Sequence, residues 1–351
     1  MKKAKKLIAL VIATACLFSS AISVGALSMV DGVDTLKSQF IKAEGPVENG
    51  YSIDYRYYSP VKENDTNKYP LVVWLHGMGD GAAEGDQVRK SNIAYWTSDE
   101  FQSRFGDVDG AYILAARSRE ELGMTWTNEM IEPLRAAINE FVLVNEANID
   151  LSRIYIGGYS MGGKMTLKMT IAYPEMFAAA FPICPAWSPE DSLTAHLSDM
   201  PVWLTSGFND PLVNYAVSIE PTWNSIIKQS NVAEECRFST LSKVCYEDGT
   251  ACSSNHHAWF AINHDMFSSS NGDYPYMTTV NGKGEEVTLT YPDGMISWLY
   301  SHTSDYDGSV IEGTGNITEN DSTDNLVSVK SIVDLIKAFL QFIVNIITGK
   351  I

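Results

Sequence analysis

The sequence predicts an α/β fold with a mostly parallel central sheet and helices on both faces. Short segments such as 71–75 are continuously apolar, as are strands that a parallel sheet buries on both faces. Segments with helical spacing, such as 130–144, alternate with these strands along the chain. The 351 residues, 45% of them hydrophobic, are enough for one large core.

The first 26 residues have the composition of an export signal and are excluded from the fold. Four lysines precede an apolar run over 7–18, and Val24-Gly25-Ala26 forms a small-residue cleavage site. The run is too short for a comfortable membrane span, and lipidation at Cys16 is the weaker alternative. We therefore expect a secreted or cell-surface protein.

The charge of the chain excludes some partners. Removing residues 1–26, which hold four lysines and no acids, takes the formal net charge from −18 to −22. Such a protein is a poor candidate for binding nucleic acid or anionic substrates. Solubility outside the cell explains the acidity more simply than an acidic functional patch does.

The predicted catalytic domain covers residues 27–302. After a loose lead-in over 27–50, its strands are predicted at 51–58, 71–75, 111–115, 154–156, 179–183 and 202–205, and its helices at 130–144, 164–172 and 295–300. Residues 264–293 are interpreted as an insertion. Asn281-Gly282 inside it would form a hairpin turn between 277–280 and 287–291.

Two further segments follow the domain. Residues 303–325 are rich in Ser, Thr, Asp, Gly and Asn and are typical of a flexible linker. Residues 326–351 have one polar stripe on an otherwise apolar helix, so we expect a C-terminal amphipathic helix. It would either dock on the catalytic domain or lie on a membrane or cell-envelope surface, because its polar residues count against a true span.

Export permits disulfide bonds among the four remaining cysteines. Cys245 and Cys252 bracket a turn-like stretch, so this pair is the first expectation. Cys184 ends an apparently buried strand and is expected to remain a thiol, while the sequence leaves Cys236 open. The absence of any Cys-x-x-Cys pair argues against a zinc ribbon or a thiol redox site.

A glycine-rich turn at residues 158–162 is the strongest chemical signal in the chain. Gly158-Tyr159-Ser160-Met161-Gly162 fits Gly-x-Ser-x-Gly, with a predicted strand before it and a helix after it. In that context the serine occupies a strained turn with its hydroxyl exposed above the sheet, as a nucleophile requires. Ser160 is therefore the predicted nucleophile.

A serine nucleophile needs a base and an acid that orients the base. Asp210 follows the buried strand 202–205, at the edge of a parallel sheet where catalytic groups gather. Its neighbour Asn209 is a weaker candidate, because an amide cannot stabilise an imidazolium as a carboxylate does. The later histidines that could act as the base are His256, His257, His264 and His302.

An acyl-transfer site also needs amide donors for the oxyanion. The Met161 amide, directly after Ser160, is one candidate, and the Met78 amide in the glycine-rich loop 76–81 is the other. His76 is expected to brace that loop. A metal site built from His256, His257, His264 and Asp265 matches no zinc spacing, so we expect neither a metal nor a cofactor.

Four stretches together resemble a known group of proteins. They are Tyr-Pro-Leu-Val-Val-Trp-Leu-His-Gly (69–77), Arg-Ile-Tyr-Ile-Gly-Gly-Tyr-Ser-Met-Gly-Gly (153–163), Gly-Phe-Asn-Asp-Pro-Leu-Val (207–213) and His-His-Ala-Trp (256–259). They are similar to secreted esterases and predicted peptidases of the α/β-hydrolase superfamily, near polyhydroxybutyrate-depolymerase-like and feruloyl-esterase-like members. The resemblance covers roughly residues 50–302 and implies an α/β-hydrolase fold.

The resemblance implies a triad of Ser160, Asp210 and His256, with His256 chosen over His257 by its place in His-x-x-Trp. The expected function is a secreted serine esterase acting on small-molecule or polysaccharide-linked carboxylic esters through an acyl-enzyme. A serine peptidase of the prolyl-oligopeptidase-like type and a non-catalytic envelope-binding protein are the alternatives. Aromatic residues that would line a substrate pocket, or else belong to the core, are Trp126, Tyr159, Trp187 and Trp259.

Overall fold

The computed structural model describes residues 36–89, 93–118, 126–245, 250–260, 276–287, 294–309 and 313. Within these residues, nine strands form one sheet in the order β1-β2-β4-β3-β5-β6-β7-β8-β9. The strands are β1 (Ile41–Glu44), β2 (Asp54–Tyr58), β3 (Tyr69–Leu75), β4 (Tyr112–Ala116), β5 (Ile149–Tyr159), β6 (Ala179–Ile183), β7 (Trp203–Gly207), β8 (Arg237–Leu241) and β9 (Met277–Asn281).

The sheet is parallel through its centre. Strands β4, β3, β5, β6, β7 and β8 pair in parallel with their neighbours. The pairings of β1 with β2, of β2 with β4 and of β8 with β9 are antiparallel. This topology confirms the predicted α/β fold with a mostly parallel sheet.

Helices connect the parallel strands and cover both faces. They are α1 (Asp86–Arg89), α2 (Asp99–Gln102), α3 (Ile131–Val144), α4 (Met161–Ala172), α5 (Asp191–Thr194), α6 (Glu220–Gln229) and α7 (Met295–Tyr300). Short 3₁₀ turns over Ile93–Thr97 and Asn255–Ala258 and a π-helical turn over Tyr215–Ile219 complete the connections that bear on the site.

Strand β3 shows why the apolar runs in the sequence are continuous. Leu71, Val73 and Leu75 enter the hydrophobic cluster that also holds residues of α3 and α4. Val72 and Trp74 enter the cluster on the opposite face, together with residues of α7. Since successive side chains of a strand point to opposite faces, a strand covered on both faces must be apolar at every position.

Most predicted elements coincide with observed ones. Segments 179–183 and 295–300 match β6 and α7 at both ends, and the helix predicted over 130–144 is observed as α3. Strand β8 and helix α6 were not predicted. Residues 277–281 form the edge strand β9 of the main sheet, and Glu286 bridges back to Val280 as a hairpin would require.

The predicted disulfide between Cys245 and Cys252 is wrong. No disulfide joins Cys184, Cys236, Cys245 or Cys252 within the residues that the structure describes. Cys245 faces Ala251 across a short antiparallel bridge, which leaves Cys252 one position out of step with it.

Several expectations fall on residues outside the described ranges. These are the export signal (1–26), the amphipathic helix (326–351) and most of the linker (303–325), so the predicted domain boundaries stay predictions. Of the helices the structure describes, none has the length and apolar character that crossing a bilayer would take.

Candidate active site

Ser160 occupies the sharp turn between β5 and α4. Strand β5 ends at Tyr159, and α4 begins at Met161. The backbone of Ser160 has φ 56° and ψ −117°, a conformation that residues other than glycine rarely adopt. The surrounding structure fixes it: the Ser160 amide donates to the Ile183 carbonyl at 2.8 Å, and the Ser160 carbonyl accepts from Lys164 and Ala186.

Two glycines allow the turn at Ser160 to pack against the end of β3. A Cβ on Gly158 would lie 2.4 Å from the Leu75 carbonyl oxygen. A Cβ on Gly162 would lie 2.0 Å from the same oxygen and 2.6 Å from the carbonyl oxygen of His76. Only residues without a side chain permit this approach, which sets Ser160 beside the loop that follows β3.

Asp210 follows β7 and is buried with its hydrogen-bonding capacity filled. Its side chain has no exposed surface. One carboxylate oxygen, Oδ1, accepts from the amides of Leu212 at 2.7 Å and Val213 at 3.0 Å. These two amides belong to the turn that starts at Asp210, so the loop after β7 holds its own carboxylate in place.

The other oxygen of Asp210 binds His256. Nδ1 of His256 donates to Oδ2 of Asp210 at 2.7 Å, and the His256 side chain is 8% exposed. The 3₁₀ turn carrying His256 is capped by Ser254, whose hydroxyl accepts from the His256 amide at 3.1 Å. Gly207 brings the two loops together, because a Cβ there would lie 2.2 Å from the Asn255 carbonyl oxygen.

Asp210 is held in its charged form. Burial alone acts to raise its pKa, but four charge and hydrogen-bonding contributions, two of them from His256, oppose that effect. Attraction by His256, its hydrogen bond and the amides of Val213 and Leu212 leave the pKa of Asp210 below the usual value of 3.8. A carboxylate in contact with Nδ1 keeps Nε2 of the imidazole available to accept a proton.

The loop after β3 is braced by His76, as predicted from the sequence. The buried imidazole hydrogen-bonds through Nδ1 to the Gly77 carbonyl at 2.6 Å, and its Nε2 accepts from the Ser118 amide at 3.1 Å. Trp126 donates its indole N–H to the His76 carbonyl at 2.9 Å. His76 is thus fully engaged within the loop and is not arranged to transfer protons.

The two candidate oxyanion donors lie in the loop after β3 and at the start of α4. Met78 is two residues past His76, and Met161 is the first residue of α4. In the described part of the chain, neither amide donates to a backbone or side-chain acceptor. Gly162 lets the two elements approach each other, so both amides stay candidates for an oxyanion hole.

The four aromatic residues predicted to line a pocket are all buried. Trp126 and Trp187 are each 1% exposed and contribute to the core beneath the site. Tyr159 and Trp259 lie closer to the reacting groups: their rings are 5.3 Å apart, and the Tyr159 ring is 6.5 Å from that of His256. The Tyr159 ring also packs on Gly77, where a Cβ would meet it at 2.6 Å.

The structure also describes two of the other candidate histidines, His257 and His302. Burial, and next the adjacent His256, lower the pKa of His257 to about 4. His302 packs against Trp298 at 4.7 Å between ring centroids and is 3.2 Å from Glu235. His264 and Asp265, the other two members of the metal site considered from the sequence, lie outside the described ranges.

Cys184 was not predicted to be a site residue, but the structure places it beside Asp210. Its Sγ, a carboxylate oxygen of Asp210 and a ring nitrogen of His256 all lie within 4.8 Å of one another. Only its position at the end of a buried strand next to the nucleophile strand could have suggested this. A run ending in Phe-Pro-Ile-Cys-Pro otherwise has the composition of core.

A separate cavity of about 400 Å³ is lined by residues of the segments 60–69 and 107–109. These segments precede β3 and β4, so the cavity lies at the amino ends of the parallel strands. Ser160 and Asp210 follow β5 and β7 and lie at the carboxyl ends. The cavity is therefore remote from the site described above.

The sequence is similar to a known protein family and to a known depolymerase. A family model described as Phospholipase/Carboxylesterase matches residues 114–245, from β4 to the segment after β8. The chain is 28% identical over 173 residues to a poly(3-hydroxybutyrate) depolymerase of Ralstonia pickettii. That match covers 45% of this chain and 34% of the depolymerase, so the chain spans about a third of its relative's length.

The fold itself has solved counterparts. The crystal structure of a thermostable esterase superposes with a TM-score of 0.55 at 24% identity, over 77% of this chain and 64% of that one. These matches confirm the predicted resemblance to the esterase and peptidase group of the α/β-hydrolase superfamily, and the chain has the α/β-hydrolase fold.

Proposed function

We propose that this α/β-hydrolase is a serine esterase that cleaves carboxylic esters through an acyl-enzyme, with Ser160, His256 and Asp210 as its triad. The observation that carries the proposal is the buried His256–Asp210 pair at 2.7 Å, at the same sheet edge as a serine in a strained strand-to-helix turn. A general base oriented by a carboxylate is what a serine hydroxyl needs to become nucleophilic.

The proposed chemistry proceeds in two halves. The Ser160 hydroxyl attacks the ester carbonyl while Nε2 of His256 takes its proton, and the negative charge on the carbonyl oxygen is stabilised by the amides of Met78 and Met161. The imidazolium then protonates the leaving alcohol as the carbonyl–oxygen bond breaks. Water, deprotonated by the same imidazole, attacks the acyl-enzyme and releases the acid with Ser160 restored.

An apolar rim beside the acid suggests an apolar acyl group. Phe208 is 54% exposed and lies two residues before Asp210, and Val217, 49% exposed, lies in the π-helical turn that follows. The Phe208 ring is 5.2 Å from that of Tyr215. Exposed apolar side chains grouped next to a reacting centre favour substrates with an aliphatic or aromatic face.

An ester panel tests the proposal. Acetyl, butyryl, longer-chain and feruloyl esters, together with soluble 3-hydroxybutyrate oligomers, would be compared on the wild type, Ser160→Ala and the exposed control Ser192→Ala. We expect Ser160→Ala to lower kcat by on the order of 10⁵-fold, because the attacking group is lost, and Ser192→Ala to behave as the wild type. Equal turnover by Ser160→Ala would overturn Ser160 as the nucleophile, and no turnover by the wild type on any ester would favour the non-catalytic envelope-binding alternative.

A peptidase with the same triad is the second candidate, since esters and amides pass through the same kind of tetrahedral intermediate. The exposed apolar side chains of Phe208 and Val217 offer no hydrogen-bonding group that would recognise a peptide backbone. Matched p-nitrophenyl esters and anilides, with proline-containing peptides, separate the two activities. Faster cleavage of the amides than of the esters would replace the esterase assignment.

Export and surface attachment belong to the same proposal. The composition of residues 1–26 and the amphipathic pattern over 326–351 support a secreted enzyme that contacts a membrane or cell envelope. Amino-terminal sequencing of the exported protein should begin at Leu27. A chain ending at residue 325 should lose binding to anionic lipid vesicles if the stripe contacts membrane.

A further inference from the structure

Lys168 is a buried lysine in the helix that follows the turn at Ser160. It lies in α4, about two turns after Ser160, and is 1% exposed. Taking an ammonium group out of water is costly, and an apolar side chain of similar size is often neutral or stabilising at such a position. Packing alone therefore does not explain a lysine here, so its contacts must provide the reason.

One contact of Lys168 is with the segment that leads into α3. Its ammonium group donates to Oδ1 of Asn128 at 2.5 Å. Asn128 lies two residues after Trp126, whose indole N–H donates to the His76 carbonyl at 2.9 Å. Because His76 begins the loop that carries the Met78 amide, this contact connects Lys168 to the loop after β3.

A second contact is with the segment that follows β6. The ammonium group of Lys168 lies over the Trp187 ring, 4.9 Å from its centroid, where an indole attracts a cation. Trp187 is itself held in place, because the Thr222 hydroxyl donates to its carbonyl at 3.2 Å. The amide of the preceding residue, Ala186, donates to the Ser160 carbonyl at 3.1 Å. This second contact therefore connects Lys168 to the turn at Ser160.

The two contacts support both sides of the candidate oxyanion hole. The Met78 amide lies in the loop that Trp126 holds through the His76 carbonyl, and the Met161 amide directly follows Ser160. Two amides stabilise an oxyanion only while they keep their spacing, and a misplacement of about 1 Å can cost on the order of 10²-fold in rate. Because one buried ammonium group contacts both supporting segments, it limits how far they can move apart.

We propose that Lys168 is a positioning residue that holds the loop after β3 and the turn at Ser160 at the spacing that acyl transfer needs. Since it concerns the amides that would bind the oxyanion, this role rests on the proposed serine-hydrolase function. The way in which the two segments are held can nevertheless be measured without turnover.

Three substitutions separate this role from packing. Lys168→Met keeps a long side chain and removes its charge and its donor, and Asn128→Leu removes the acceptor on one side alone. Thr170→Val is the matched control on the same helix. Thr170 is also buried and polar, but its hydroxyl donates to the carbonyls of Thr166 and Leu167 within α4.

Kinetics on a soluble ester give the first readout. We expect Lys168→Met to lower kcat about tenfold with KM within about twofold of the wild type, because the substrate still binds while the oxyanion is held less well. Its midpoint of urea unfolding should equal or exceed that of the wild type, since a buried charge is removed. Thr170→Val should keep the wild-type kcat. Loss of stability in Lys168→Met with an unchanged kcat would show that the lysine only fills space.

A double-mutant cycle tests whether the contact between Lys168 and Asn128 carries the effect. Asn128→Leu should lower kcat by a factor similar to that of Lys168→Met. The double variant should lose about tenfold in all, because either substitution already breaks the same contact. Two independent effects would multiply to about a hundredfold loss, and that result would overturn this contact as the means of positioning.

Amide hydrogen exchange of the full chain, followed by mass spectrometry, tests the structural part without turnover. Exchange in peptides that cover 76–81 and 184–187 should be faster in Lys168→Met than in the wild type and unchanged in Thr170→Val. Equal exchange in Lys168→Met and the wild type would overturn the inference, even if Ser160→Ala shows that the esterase proposal holds. If the wild type hydrolyses no ester, the esterase proposal fails, and the exchange rates alone decide whether Lys168 holds the two segments.

Discussion

Nδ1 of His256 and Oδ2 of Asp210 lie 2.7 Å apart, although 46 residues separate them in the chain. The pair is buried, and the carboxylate is bound on its other oxygen by the turn that follows β7. This arrangement fixes both the position of the imidazole and the nitrogen that carries its proton.

Replacing the acid should remove most of the activity without unfolding the protein. Asp210→Asn can donate to Nδ1 and so favours the wrong tautomer, which leaves Nε2 unable to accept the serine proton. We expect kcat to fall by roughly 10³- to 10⁴-fold. The exposed neighbour is the control: Asn209→Ala should retain wild-type kcat in the same assay, and an equal loss in both variants would mean that the loop, not the carboxylate, matters.

The strain at Ser160 should be measurable as stability. Because φ is 56° there, Ser160→Gly should unfold in urea with a free energy about 1–2 kcal/mol higher than Ser160→Ala. Ala136→Gly, in the middle of α3, is the control of opposite sign and should lose about 0.5–1 kcal/mol. A Ser160→Gly variant less stable than Ser160→Ala would show that the turn is not strained.

Stability should fall as the pH drops below neutrality, and His302 should account for part of the loss. Burial, and then Arg237, lower its pKa to about 4 despite Glu235 at 3.2 Å, and no described acceptor or donor satisfies its buried Nε2. Burial outweighs the ion pair, since the Glu235 side chain is 51% exposed and its charge is screened by water. The unfolded chain, with a pKa of 6.5, binds the proton first.

A histidine whose pKa is lowered by folding contributes stability that is complete above pH 6.5 and is lost as pH falls toward 4. Urea unfolding at pH 7.5 and pH 4.5 should therefore show a smaller pH-dependent loss in His302→Gln than in the wild type. The difference should be on the order of 2 kcal/mol. Exposed His196→Gln is the control, and an identical pH dependence in His302→Gln and the wild type would contradict the assignment.

The exposed ring of Phe208 should select for longer acyl chains. Phe208→Ala removes apolar surface beside the site, so KM for an octanoyl ester should rise roughly fivefold while KM for an acetyl ester stays unchanged. Leu143→Ala, at an exposed apolar residue on α3, is the matched control. If KM rose equally for both esters, we would conclude that Phe208 supports the loop that carries Asp210 and does not contact the acyl chain.

The parts of the fold that follow simple patterns were predictable. Strand β3 is apolar at every position because both faces are covered, and the nucleophile turn is marked by Gly158 and Gly162. Strand β8 was missed because it buries polar groups. Ser239 accepts from the indole of Trp203 at 2.8 Å and bonds with Thr279 at 2.7 Å, so the strand has no continuous apolar run.

The residues of the candidate site were likewise predictable only in part. Asp210 was predictable from its place after a buried strand, whereas the choice of His256 over His257 needed the resemblance, since adjacent histidines are equivalent in composition. The proximity of Cys184 to Asp210 could not be predicted, because it depends on β6 lying between β5 and β7. The pairing of Cys245 with Cys252 was wrong since spacing along the chain does not fix which way two side chains point.

The most direct test of the central claim is covalent labelling of the nucleophile. A fluorophosphonate should form one adduct per chain, and peptide mapping by mass spectrometry should locate it on Ser160, with loss of ester hydrolysis in proportion to labelling. Ser160→Ala should form no adduct and should be inactive. An adduct on another residue, or hydrolysis that survives full labelling or the loss of the Ser160 hydroxyl, would contradict the account.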